Sequence, residues 1–107
     1  MIRNFMSSNN VQICLGKNAK GNEILCKNSE QDHYWLHLQS DSSPHAIVYN
    51  HIEDKVSLQE AAKLVKMFSK LKDKRNVKVI YCQLNNIKLT KNAGQVILLN
   101  NPNSLVV

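Results

Sequence analysis

The sequence predicts an α+β domain, a mostly antiparallel sheet packed against one long amphipathic helix, with a short second helix after the first strand. Three observations carry that expectation. Apolar residues recur at helical spacing from residue 58 to about residue 72. Several short runs rich in Val, Ile, Leu and aromatic residues end at Gly, Pro, Asn or Ser. Two of those runs bracket the polar turn at residues 40–44, which makes a hairpin-like strand pair.

In chain order, residues 1–10 show no periodicity and are expected as a flexible N-terminal arm, leaving 11–107 as a single domain. Residues 11–15 alternate apolar and polar up to Gly16, a strand entering a turn. The following stretch, 17–22, holds turn residues and two lysines and reads as a loop. Residues 22–27 fit a short helix with Asn22 as its N-cap; the same letters fit a strand, and the helix is preferred. Residues 34–38 and 46–49 are the paired strands. Period two places Trp35 and His37 on one face, with His33 just before them, opposite Tyr34, Leu36 and Leu38.

The main helix is announced by Ser57 with Glu60 three residues on, a capping box. Leu58, Ala61, Ala62, Leu64, Val65, Phe68 and Leu71 form its apolar face, while Lys63, Lys66 and Lys70 lie together on the other side. Residues 77–84 and 95–99 are further strands, joined by a polar connection at 85–93 that is long for a hairpin. Residues 104–107 return as a last short strand.

Composition bounds the function. A hydrophobic share of 43% over 107 residues suits one globular core. No segment approaches the ~20 apolar residues needed to cross a bilayer, and the N-terminus has no apolar core and cleavage site of a signal peptide. A cytoplasmic protein is expected, with the nucleus as the alternative and no membrane partner. Cys14, Cys26 and Cys82 are far apart and match neither C-x-x-C nor zinc spacing, so they read as reduced core thiols. The formal net charge of +6 favours polyanionic partners.

Catalytic and cofactor chemistry finds little support. His33, His37, His45 and His51 with Asp32 could converge on a metal only if the hairpin gathers them, and no H-E-x-x-H is present. The serines lie in no G-x-S-x-G context, and residues 16–21 lack the G-x-x-x-x-G-K-[ST] phosphate cradle. A non-catalytic chain without cofactor or metal is therefore expected. Lysines for phosphates and flat or amide side chains for bases are present: Lys17 and Lys20, the stripe of Lys63, Lys66 and Lys70, and Trp35, His37 and His45. The rival reading is a protein-interaction module whose basic face docks on an acidic partner.

A resemblance narrows the choice. Residues 16–25, GKNAKGNEIL, look like the G-[RK]-[ND]-x-x-x-N-[DE]-x-[LI] opening of the NFACT-R domain family, and residues 32–37, DHYWLH, resemble its D-x-x-W-[FL]-H strand. Residues 43–48, SPHAIV, resemble its S-x-H-x-x-[IV] strand, although Pro44 replaces the usual small residue before His45. Residues 58–65 and 92–97 are similar to the family's helix and late strand. Members occur as one domain of ribosome-associated quality-control factors and as stand-alone eukaryotic proteins. The resemblance implies binding of RNA, tRNA or ribosomal RNA, with DNA also reported for stand-alone relatives and ribosome-associated proteins as further partners. It places the family's characteristic polar positions on Lys17, Asn18, Asn22, His37 and His45, with Trp35 as the aromatic. Lys17 and Lys20 would then meet phosphates, Asn18 and Asn22 would fix the turn or touch the ligand, and His37 would face His45.

Overall fold

Strand residues that alternate between two apolar faces need cover on both, and this chain supplies it with elements drawn from both halves of the sequence. The computed structural model describes residues 1–107. Its elements are β1 (Ile2–Met6), β2 (Gln12–Gly16), α1 (Ala19–Asn28), β3 (Tyr34–Leu38), β4 (Ala46–Val48), α2 (Lys55–Met67), β5 (Lys78–Gln83), a 3-10 turn (Leu84–Asn86), β6 (Ile87–Leu89), β7 (Val96–Leu98) and β8 (Asn103–Val106). Six strands form one sheet in the order β1-β2-β4-β3-β5-β8, every neighbouring pair antiparallel, and β6 and β7 form a separate hairpin.

Period two sorts the side chains. Ile13 and Leu15 of β2, Tyr34, Leu36 and Leu38 of β3, and Ala46 and Val48 of β4 face α2, where Leu58, Ala61, Ala62 and Val65 close the first core. Cys14, Trp35, Ile47 and Cys82 point the other way and meet Leu25 and Cys26 of α1, with Ile87, Leu89, Val96 and Leu98 of the β6–β7 hairpin packed against them. The sheet is thus the middle of three layers.

Several expectations are corrected in detail. The first ten residues are not a flexible arm: β1 pairs along β2 from Ile2↔Gly16 to Met6↔Gln12, and the turn that follows is tied to α2 by Ser7 Oγ to Ser57 Oγ at 2.7 Å. The Met1 carbonyl accepts from the Lys17 N–H at 2.8 Å, and a Cβ on Gly21 would collide with that same carbonyl oxygen. Gly21 therefore serves close packing of the chain on itself.

The two helices differ little in length, with 13 residues in α2 and 10 in α1, so one long helix is not what covers the sheet. Each starts earlier than its local signals indicate. Asp54, not Ser57, caps α2: its carboxylate accepts from the Ser57 N–H at 3.3 Å and from Ser57 Oγ at 2.6 Å. Glu60, freed from a capping box, accepts from the Ser8 N–H instead. Asn18, not Asn22, caps α1, its Oδ1 accepting from the Gly21 N–H at 2.8 Å. Ser69 Oγ donates to the Lys66 carbonyl at 2.8 Å, offering the backbone an alternative to further helix, and α2 stops at Met67. No helix is long and apolar enough to cross a membrane.

Candidate nucleic-acid interface

At one end of the sheet the layers part. Gly16 at the end of β2, His37 of β3, the loop at 39–44, the first residue before β4, the start of α1, residues 68–70 beyond α2, and Ala93 with Gly94 enclose an open cleft of about 770 Å³. Its walls bring together Lys17, Asn18, Asn22, His37, His45 and Lys70.

The start of α1 approaches the sheet closely because residue 16 has no side chain. A Cβ there would run into the Asn22 side chain and come within 2.6 Å of the Asn22 backbone nitrogen. That approach lets Asn22, 7% exposed, accept from the His45 N–H through Oδ1 at 3.0 Å. Its amide Nδ2 has no hydrogen-bond partner within the chain, and Asn22 is among the residues lining the cleft.

His45 is the hub of the floor. The Trp35 indole N–H, a donor only, reaches His45 Nδ1 at 3.1 Å, which fixes the proton on Nε2. The Gly94 backbone lies close enough to favour the protonated ring, and the His45 carbonyl accepts from the Gly16 N–H at 3.1 Å. Burial, reinforced by His37 nearby, lowers the imidazole pKa to about 4. At neutral pH His45 is an uncharged ring whose Nδ1 accepts from Trp35. Its backbone N–H ties the sheet to α1 through Asn22.

His37 faces it with ring centroids 5.0 Å apart, edge to face, and stacks on Trp35 at 5.8 Å. Its Nδ1–H donates to the Leu38 carbonyl at 2.6 Å. Burial lowers its pKa, opposed by that backbone bond. The neutral ring therefore offers the Nε2 lone pair, which has no partner in the chain, as an acceptor on the cleft wall.

Not every residue singled out from the sequence reaches this place. Trp35 is 1% exposed in the second core and supports His45 without touching the cleft. Lys20 lies on the outer side of α1, paired with Glu23 at 3.4 Å. The supposed helix stripe divides: Lys70 stands in the turn after α2, paired with Asp41 at 3.5 Å across the cleft mouth, Lys66 donates to the Val107 carbonyl at 3.3 Å, and Lys63 is exposed beside Ser8, Lys55 and Glu60. Because α1 and α2 cover opposite faces of the sheet, Lys20 and Lys63 do not share a surface.

Sequence reasoning missed Arg3 and Phe68. The Arg3 guanidinium carbon lies 4.3 Å from the Phe68 ring centroid, beside a small recess bordered by Gly16, Lys17, Pro44 and Phe68, residues that also line the cleft. Reading residues 2–6 as a strand would have brought Arg3 into view.

Neither a nucleophile nor a histidine metal set emerges here. Cys26 Sγ is 3.7 Å from His45 Nδ1, but burial pushes the thiol pKa up to about 12 while the imidazole falls to about 4. Both groups stay neutral, the reverse of a thiolate–imidazolium pair. His33 packs on Tyr49, 5.3 Å between centroids, away from His37 and His45; with Glu30 and Asp32 it places ligating atoms within 4.8 Å on a loop whose two acids are exposed.

Comparison with known proteins gives three findings. The family described as "NFACT protein RNA binding domain" matches residues 1–99. The "Rqc2 homolog RqcH" of Bacillus subtilis (strain 168) is 29% identical over 89 residues, which make up 82% of this chain and 16% of that protein. The C-terminal part of the fibronectin/fibrinogen-binding protein from Streptococcus suis superposes with a TM-score of 0.90 at 20% identity, covering 97% of this chain and 43% of that one, a likeness of fold.

Proposed function

The chain belongs to the family of NFACT protein RNA binding domains, and from that premise we propose that it is a non-catalytic RNA-binding domain that holds the sugar-phosphate backbone in the cleft at the end of its sheet. The setting is translation, in ribosome quality control, with tRNA or ribosomal RNA as the ligand. The observation that carries this reading is the convergence of Lys17, the start of α1, the Asn22 amide and the His37 Nε2 acceptor in one concave site.

Each group has a distinct part. Lys17, in none of the chain's ion pairs, neutralises a phosphate and releases its counterion. The amides at the start of α1 add the positive end of the helix dipole. Asn22 Nδ2 donates to a sugar or base oxygen, and neutral His37 accepts from a ribose 2′-hydroxyl or a base amino group, a contact that distinguishes RNA from DNA when it falls on the 2′-hydroxyl. Lys70 joins when a phosphate displaces Asp41. Lys20, Lys63 and Lys66 contribute to the overall positive field rather than to direct contacts.

Competition separates this reading from docking on an acidic protein. Labelled tRNA-like RNA bound to the protein is challenged with unlabelled RNA, matched DNA and an acidic peptide at equal charge concentration, followed by fluorescence anisotropy. RNA displacing the probe at least tenfold more effectively than the peptide, and better than DNA, is the expected result. Equal displacement by the peptide would assign the site to protein interaction.

A further inference from the structure

Phosphate contacts position a nucleic acid but leave open whether it enters as a duplex or as a single strand. Beside Lys17 the cleft carries a feature without a role in phosphate binding. Phe68, 38% exposed, is an aromatic ring on the cleft wall at the place where α2 ends. One part of the ring rests on Phe5, with centroids 6.1 Å apart, and the Arg3 guanidinium lies over it at 4.3 Å. Arg3 enters none of the chain's ion pairs, so no carboxylate holds it there. The stacking places a second flat, π-compatible group beside the ring while leaving guanidinium N–H groups for an anion. Gly16, Lys17, Pro44 and Phe68 border both the main cleft and the recess beside Arg3, so the two spaces share a wall.

Resting on the RNA-binding reading above, we propose that Arg3 and Phe68 form a stacking platform for an unpaired nucleobase, with that nucleotide's phosphate held between Lys17 and the start of α1. The ligand class is then a single-stranded or flipped-out nucleotide. In a duplex the base faces are covered by their neighbours and no base could meet the platform. The cleft volume of about 770 Å³ falls within the roughly 300–1,000 Å³ typical of sites that enclose a small molecule. Trp35, the aromatic expected for this task, is sealed in the core, and Phe68 takes the position facing the ligand.

The test compares a short single-stranded oligoribonucleotide with a fully abasic ribose-phosphate strand of the same length and charge. Both are titrated by anisotropy against the full chain and its Phe68→Leu and Phe68→Ala variants. Leucine keeps an apolar group against Phe5 while removing the aromatic face, so the comparison survives if the alanine variant folds poorly. Wild type is expected to bind the base-bearing strand about tenfold tighter than the abasic strand, within the range measured for stacked bases, and Phe68→Leu is expected to reduce that ratio to about twofold while leaving abasic affinity unchanged. Equal wild-type affinity for both strands, or an equal loss on both in Phe68→Leu, would overturn the platform while leaving backbone binding intact. Binding to neither strand while tRNA-like RNA is still bound would overturn the platform alone, and loss of binding to all three would remove the RNA reading with it.

Discussion

Two regions of this protein display lysines on neighbouring elements, and they differ in everything except charge. The outer face of α2 offers only an open depression of about 430 Å³, where Lys63 lies beside Lys55, Gln59 and Glu60, and Lys66 is occupied with the Val107 carbonyl. At the end of the sheet, Lys17 borders a cleft whose walls also hold an amide, an imidazole acceptor and a helix start. A lysine with no imidazole or helix start beside it can attract a polyanion but does little to orient it. Recognition needs directional groups aimed at a shared volume, and here that volume exists because the glycine at position 16 lets α1 come close to the sheet.

The largest expected effect breaks the comparison at its origin. Gly16→Ala places a methyl group against the backbone and side chain of Asn22, so either α1 is displaced or the β2 end bends. A loss of about 3 kcal/mol is expected in urea denaturation, at the upper end for overpacked sites, whereas Lys63→Ala on the exposed face should stay within about 0.5 kcal/mol. Wild-type stability for Gly16→Ala would show that the close approach is not required.

Next comes the pH dependence of the cleft floor. The folded-state pKa of His45 is about 4 against an ordinary 6.5, so between those values the unfolded chain binds the proton more readily than the folded one. The stabilisation is fully present above pH 6.5, declines as pH falls through that value and is gone near pH 4, with His37 adding in the same direction. At about 1.4 kcal/mol per pKa unit, His45 contributes up to about 3 kcal/mol. His45→Gln retains an acceptor and a donor but cannot titrate. Denaturation midpoints measured from pH 7 to pH 4.5 should fall clearly less in this variant than in wild type, and parallel curves would remove His45 from the account.

Much of the fold could be read from local pattern, because period two in β2 to β5 and the 3.6-residue period in α2 are written in consecutive side chains. The positions Lys17, Asn18, Asn22, His37 and His45 followed from the family resemblance, and all line the cleft. What local pattern could not supply is which layer covers which face. Trp35 and His37 share a face of β3, yet α1 and the β6–β7 hairpin bury the first and leave the second at the rim. Lys17 and Lys20 are three residues apart, but α1 begins between them and turns Lys20 toward Glu23. Arg3 was hidden because β1 is stabilised by pairing with β2, and its own sequence carries little alternation. Lys70 left the stripe when Ser69 ended the helix.

The central claim is that the cleft, and not the α2 face, meets the phosphates. The measurement that tests it most directly is the salt dependence of RNA affinity for two double variants, Lys17→Ala with Lys70→Ala and Lys63→Ala with Lys66→Ala, each removing two positive charges. The cleft variant is expected to bind roughly tenfold more weakly at moderate salt, with a log K against log salt slope shallower by about 0.7–1.4 for one or two lost single-strand contacts, while the α2 variant stays within about twofold with an unchanged slope. The opposite pattern, a shallower slope only in the α2 variant, would contradict the account.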